Sequence, residues 1–235
     1  MALPKLETPT YTMTLPSTGE EIKFRPFLVK EQKRLIMAQE SKDNNQIFDA
    51  MSALIRECTF EKVNPDTCPL FDAEYIFLQI RGKSVGENLD LVVTCPDDDE
   101  TKVNVKVDIT EINVHMTDDH TNKIELMDDI KIVFKYPLLK DTKDFVLETD
   151  TSKVANMILD KCIDELHFGE DIYKRSDISQ KELDEFVDSM SSEQYLKVMQ
   201  FFNTMPKIRH VIEVTNPKTK EKGEVLLEGL QSFLA

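Results

Sequence analysis

The 235-residue chain contains no tryptophan, only six glycines and only four cysteines. Each scarcity removes a class of chemistry. With so few glycines there is no GxGxxG and no GxxxxGK[ST], so no loop of clustered backbone N–H groups is available to cradle phosphates. The cysteines, Cys58, Cys68, Cys95 and Cys162, form no CxxC pair. The four histidines, His115, His120, His167 and His210, are scattered, whereas zinc sites need three or four ligands, usually including a close pair. Cys68 and Cys95 are each followed by proline, the start of a cysteine knuckle, but each lacks a nearby second ligand. No GxSxG nucleophile elbow occurs. No apolar run reaches the length of a membrane span. The first residues, MALPKLETPTYTMTLPS, lack the basic-then-apolar order of a secretory signal. The expected location is therefore the cytoplasm, and no disulfide framework is expected there.

Positive charge is also scarce. Lys and Arg total 29 against 44 Asp and Glu, a formal charge of −15. Nucleic acid and anionic membrane surfaces are excluded as expected partners, because both are bound by clustered cations. The run Asp97-Asp98-Asp99-Glu100 lacks the spaced oxygens and turn glycine of a calcium loop, and reads as a solvated hairpin tip. No cofactor and no metal are expected.

What is present is an α+β pattern. Residues 9–25 read as a hairpin around Pro16-Ser17-Thr18-Gly19, followed by helices over Val29–Gln39 and from Ile47 to Cys58. The stretch Phe71–Glu87, FDAEYIFLQIRGKSVGE, begins with Asp72 as an N-cap and is apolar on nearly all sides, the pattern of a buried helix. Gly82 is expected to close it, leaving Arg81, Lys83 and Glu87 in a basic turn. Strict alternation follows from Leu89 to Val93 and from Val103 to Ile109, then short strands near 112–116, 123–126 and 130–136. A helix is expected from Ser152, with a face that includes Leu159, Cys162, Ile163 and Leu166, ending at Gly169. Capping boxes at Ser179/Glu182 and Ser191/Gln194 start two more helices. On the second, Tyr195, Val198, Met199, Phe202 and Met205 form the expected core face, leaving Leu196 and Phe201 as off-face apolar surface for a partner. The tail is a hairpin, 208–214 with 223–227, closed by the short helix GLQSFL. Its cations, including Lys207 and Arg209, suit a protected sheet edge or an acidic partner.

Three parts are expected: an N-terminal hairpin and helical part at 1–86, a central antiparallel β part at 87–150, and a C-terminal helical part with a terminal hairpin at 151–235.

Three stretches carry a resemblance. LPSTGEEIKFRPFLVKEQKRLIMAQES, EYIFLQIRGKSVGE and the terminal EGLQSFL resemble the baseplate hub proteins of T-even-like contractile-tailed bacteriophages. The resemblance spans residues 13 to about 109 and, more weakly, the last dozen. It departs where many members carry a cysteine knuckle: here the hairpin has Cys95-Pro96-Asp97-Asp98-Asp99, a single thiol. The resemblance implies a non-enzymatic, chaperone-like tail assembly protein acting in the infected cell on baseplate hub or tape-measure proteins. A structural hub subunit retained in the virion is the alternative, and a cryptic hydrolase a more remote one. The expected contacts are Arg81, Lys83, Glu87, Lys207, Arg209, Leu196 and Phe201.

Overall fold

The structure, a computed structural model, describes residues 6–143 and 151–233. The expected seam at 150 and Leu234 of the terminal segment lie outside those residues. The α+β reading holds: helices alternate with antiparallel sheets. Two compact units form. One takes the chain up to His115 together with everything from Lys207 onward; the other is Met116–Pro206.

In the first unit, β1 (Tyr11–Thr14) and β2 (Glu21–Phe24) form the expected hairpin, with Tyr11 opposite Phe24. Helices α1 (Val29–Ser41), α2 (Asn44–Cys58) and α3 (Leu70–Val85) follow. Asp43 caps α2 by accepting from the Asn45 N–H at 2.9 Å. Helix α2 buries Ala50, Met51, Leu54, Ile55 and Cys58, as the spacing predicts, with Phe48 buried in place of the half-buried Ile47. Helix α3 is apolar all round and accordingly buries Ile76, Phe77, Leu78 and Ile80. Helix α1 is different: only Glu31 and Ala38 of its thirteen residues are buried.

Two expectations about α3 are corrected. The helix starts one turn earlier, with Pro69 at the N-cap, so Asp72 lies inside the first turn. Gly82 does not close the helix. It is buried within it, beneath Ile109, whose Cγ2 lies 3.6 Å from where a Cβ would stand. The chain leaves the helix at Gly86, with φ +120°, where its N–H donates to Gly82 O at 3.1 Å. Arg81 and Lys83 therefore sit on the last helical turn.

The alternating segments become β3 (Asn88–Thr94) and β4 (Lys102–Asp108), paired from Asn88↔Asp108 to Thr94↔Lys102. The strand β5 (Asn113–His115) joins β10 (Lys207–Thr215) and β11 (Lys222–Glu228) in a sheet ordered β11-β10-β5. So β10 is a middle strand, and the tail is not an isolated hairpin. The expected seam at 86 falls inside this unit, because Ile109 N–H donates to Glu87 O at 2.7 Å and the following 3-10 turn packs on α3.

The acidic tip is exposed to solvent, as expected at Asp97, Asp99 and Glu100, and it is in addition tied to the β10–β11 turn. Asn216 Nδ2 donates to both Asp97 oxygens and to Asp98 Oδ2, each at 3.0 Å. Thr219 Oγ1 donates to Asp97 Oδ2 at 2.6 Å. Pro96 and Gly223 make this approach possible: a Cβ on Gly223 would lie 2.5 Å from Pro96 Cγ.

The second unit is built on a meander ordered β6-β7-β8-β9, from β6 (Lys123–Met127), β7 (Ile130–Phe134), β8 (Ile163–Phe168) and β9 (Asp171–Lys174). Helices α4 (Thr151–Cys162), α5 (Gln180–Asp188) and α6 (Ser192–Thr204) complete it. Both expected capping boxes form, on Ser179/Glu182 and Ser191/Gln194. The helix expected to run to Gly169 stops at Cys162, and Ile163 and Leu166 belong to β8, paired with Phe134 and Ile132 of β7. Helical spacing persisted across the junction because both elements bury the same side of the chain. The core joins Ile132, Phe134, Leu159, Leu166, Leu183, Val198 and Phe201.

The Pro96–Gly223 contact yields a prediction. Gly223→Ala should lower stability by about 1–3 kcal/mol, the usual cost of overpacking. Adding Pro96→Ala should restore most of that loss. Denaturant melts of the two single variants and the double variant check it.

Candidate interaction surface

The three stretches that carry the resemblance meet in the first unit through buried polar contacts. At the exit of β2, Arg25 Nη2 pairs with Glu31 Oε1 at 2.9 Å, and the Glu31 side chain is fully buried. Glu31 Oε2 also accepts from the Leu28 N–H at 2.6 Å, which fixes the start of α1. Burial alone would raise the Glu31 carboxyl. The Arg25 guanidinium, the Leu28 N–H and Lys30 outweigh it and hold the group down at about 2. Arg25 also donates its backbone N–H to Cys58 O at 2.9 Å, tying β2 to the end of α2. Pro26 between them prevents the strand from continuing. The RP…KE spacing of the sequence is therefore a strand exit, a turn and a helix start closed by one buried ion pair.

The other stretches interlock similarly. Asp72 accepts from Ser17 N–H at 3.1 Å and from Ser17 Oγ, so the first hairpin's turn docks on α3. Burial raises the Asp72 carboxyl, and these two bonds oppose the rise. Phe27 N–H donates to Ser84 Oγ at 2.9 Å. At the other end of the chain, Leu230 N–H donates to Glu74 Oε1 at 3.0 Å. Leu230 and Phe233 are buried there. Enclosure under this terminal turn, with Glu228 nearby, pushes Glu74 up to about 7 against the Leu230 N–H and Lys207.

The expected contact residues fall in different settings. Arg81 is half-buried on α3, and its desolvation lowers its pKa. Lys83 is exposed; it pairs with Glu87 one turn on and stands 5.3 Å from the centre of the Tyr11 ring. Lys207 and Arg209 both pair with Glu228 across the sheet, at 3.0 and 2.7 Å, so the two cations share one carboxylate. Leu196 is 69% exposed on α6. Phe201 is corrected: it is fully buried, stacked on Phe134 with ring centres 4.6 Å apart. The buried line of α6 runs through Val198 and Phe201, a rotation of about one residue from the expected face.

Among the described residues no group of three or more His, Cys, Asp or Glu side chains could hold a metal ion. All four cysteines are free thiols. Burial pushes Cys58 up to about 11 and Cys68 and Cys162 up to about 12, which suppresses the nucleophilic thiolate. His120 is a structural group. Its Nδ1 lies 2.9 Å from Thr204 Oγ1 and its Nε2 3.0 Å from Tyr136 OH. Thr204 Oγ1 donates onward to Gln200 O at 2.8 Å, so it accepts from an Nδ1–H tautomer. Burial lowers the His120 pKa, in keeping with a neutral ring.

What the surface does offer is apolar side chains on regular elements. Val29 and Met37 on α1 are 65% and 69% exposed, Ile172 on β9 is 58%, and Val211 and Leu226 on the terminal sheet are 54% each. Sequence reading missed these, because each belongs to an alternation or a stripe that looks like core. Their exposure depends on which neighbours cover them.

The two carboxylates with opposite shifts give a pH prediction. Glu31 is depressed, so its contribution is full above its ordinary value of 4.5 and lost as pH falls toward about 2. Glu31→Gln should cost about 3 kcal/mol at pH 7, and the gap from the parent should shrink below pH 4.5. Glu74 is raised, so the parent loses stability as pH rises from 4.5 to about 7. Glu74→Gln should stabilise by about 2 kcal/mol at pH 8 and by little at pH 4.5. Urea melts of both variants across this pH range check the two signs.

No curated protein and no solved structure matches the chain. A family model described as "T4 bacteriophage base plate protein" does match, over residues 8–235. That span takes in both compact units and all three interlocked stretches, and the chain belongs to the T4 bacteriophage base plate protein family.

Proposed function

We propose that the chain is a non-enzymatic assembly factor of the phage baseplate hub. It binds hub or tape-measure components in the cytoplasm of the infected host and holds their apolar or edge-strand surfaces until the hub is complete. The observation that carries this reading is that large apolar side chains are left more than half exposed on well-formed helices and strands, among them Val29, Met37, Ile172, Leu196, Val211 and Leu226. In a base plate family member these are faces for other baseplate proteins. Leu196, Arg81, Lys83, Glu87, Lys207 and Arg209 supply further contacts at the margins. Lys83, Lys207 and Arg209 are already paired with acidic side chains, so they steer and orient more than they bind.

A structural hub subunit is the second reading, favoured by the family's description as a base plate protein. Quantitative mass spectrometry of purified virions separates the two. An assembly factor is absent from virions and present in infected-cell extract bound to a hub component. Fixed stoichiometry in the virion contradicts the assembly-factor reading in favour of the subunit. Failure to co-purify with any tail protein, from co-expressing cells or virions, contradicts both.

A further inference from the structure

The outer face of the terminal sheet carries a second, more specific message. In the β10–β11 register, side chains opposite one another on this face change character along the strands. Arg209 faces Glu228 and pairs with it at 2.7 Å. Next, Val211 faces Leu226, and both are 54% exposed. Then Glu213 faces Glu224, and both are exposed. Among the described residues, neither of these two carboxylates has a hydrogen-bond or ion-pair partner. Like charges directly opposite on neighbouring strands destabilise a sheet, so the fold gains nothing from this pair. Lys222, the next residue along this face of β11, is opposite Thr215 and forms no ion pair with either glutamate. The strand β11 is also the edge of its sheet; at its end the backbone of Glu228 is already bonded to Ser232 Oγ, so the strand available for pairing is the part before it.

We propose that this edge and face bind an extended segment of another baseplate protein, one that carries an aliphatic side chain and, two residues away, a lysine or arginine. A strand added to β11 places alternate side chains beside alternate side chains. The aliphatic group then packs on Leu226, next to Val211, and the cation sits beside Glu224, offsetting one of the two charges and so relieving the repulsion with Glu213. The i, i+2 spacing follows from the period of two. A second copy of the chain is a poor occupant, because it would bring another −15 charge. The proposal rests on the assembly reading for the identity of its partner, and goes beyond it in naming the surface and the chemistry recognised.

The variant Glu213→Lys tests it with two readouts of opposite sign. It turns the like-charged pair into a cross-strand salt bridge, which should raise the melting temperature by about 1–3 °C. It also removes the anionic site, which should weaken binding about tenfold or more. Leu226→Ser should weaken binding by a similar factor without the gain in stability. The measurement uses the full chain with each purified baseplate protein of the same phage, by biolayer interferometry, with amide exchange on any complex. Support is a complex weakened by both variants, with new protection along β11. A complex whose affinity stays within twofold in both variants, or whose protection lies elsewhere, overturns this surface and leaves the assembly reading standing. Dimerisation of the wild-type chain through β11 also overturns it. If no baseplate protein binds the wild-type chain, this proposal and the assembly reading fall together.

Discussion

The Arg25–Glu31 ion pair is the constraint on which the first unit depends. A fully buried carboxylate is costly unless it is both paired and hydrogen-bonded. Glu31 is both, bound by Arg25 and by the Leu28 N–H. The bonds hold together three features that could otherwise vary independently: the end of β2, the turn at Pro26 and the start of α1. They also explain how α1 keeps its place with little packing of its own, since Ala38 is its only buried apolar residue. A helix anchored by an ion pair at its N-terminus can leave Val29, Ile36 and Met37 toward solvent, where a partner can reach them.

From that anchor the remaining contacts follow one pattern: a backbone N–H at the edge of one motif donates to a side chain of another. Ser17 reaches Asp72, Phe27 reaches Ser84, and Leu230 reaches Glu74. Helix α3 supplies all three acceptors, which gives a physical reason for the polar positions Asp72, Glu74 and Ser84 in an otherwise apolar helix. Chain ends far apart in sequence are thereby fixed to one buried rod. The outer sheet face and α1 are presented from a preorganised frame, which lowers the entropy cost of binding.

Much of the fold was legible in the sequence. The hairpins, α2, both late helices and the α+β class follow from periodicity, turn residues and capping boxes. The errors have separate causes. Gly82 was read as a stop because a glycine near a helix end usually is one, but here its missing Cβ admits Ile109. The helix-to-strand change at Cys162 was invisible because both elements bury one side of the chain. Phe201 was assigned to the surface because choosing a helix face from spacing alone is uncertain by about one residue, and only its stacking on Phe134 decides it. The tether of the exposed acidic tip is not legible because its partner, Asn216, lies more than a hundred residues away. The candidate contacts fared less evenly. Leu196 is on the surface, while Lys207 and Arg209 share an ion pair with Glu228. The unpaired Glu213–Glu224 face needs strand register, which a sequence alone does not supply.

The central claim is that the motifs of this base plate protein fold as one cooperative frame. Native-state amide exchange tests it most directly, at four of the N–H groups that donate to side chains: Ser17, Phe27, Leu28 and Leu230. All four are expected to open with a single free energy, equal to that of global unfolding of the unit, and weakening the Arg25–Glu31 pair is expected to lower all four together. Independent, faster exchange at Leu230 or Ser17, unmoved by loss of that pair, would contradict it.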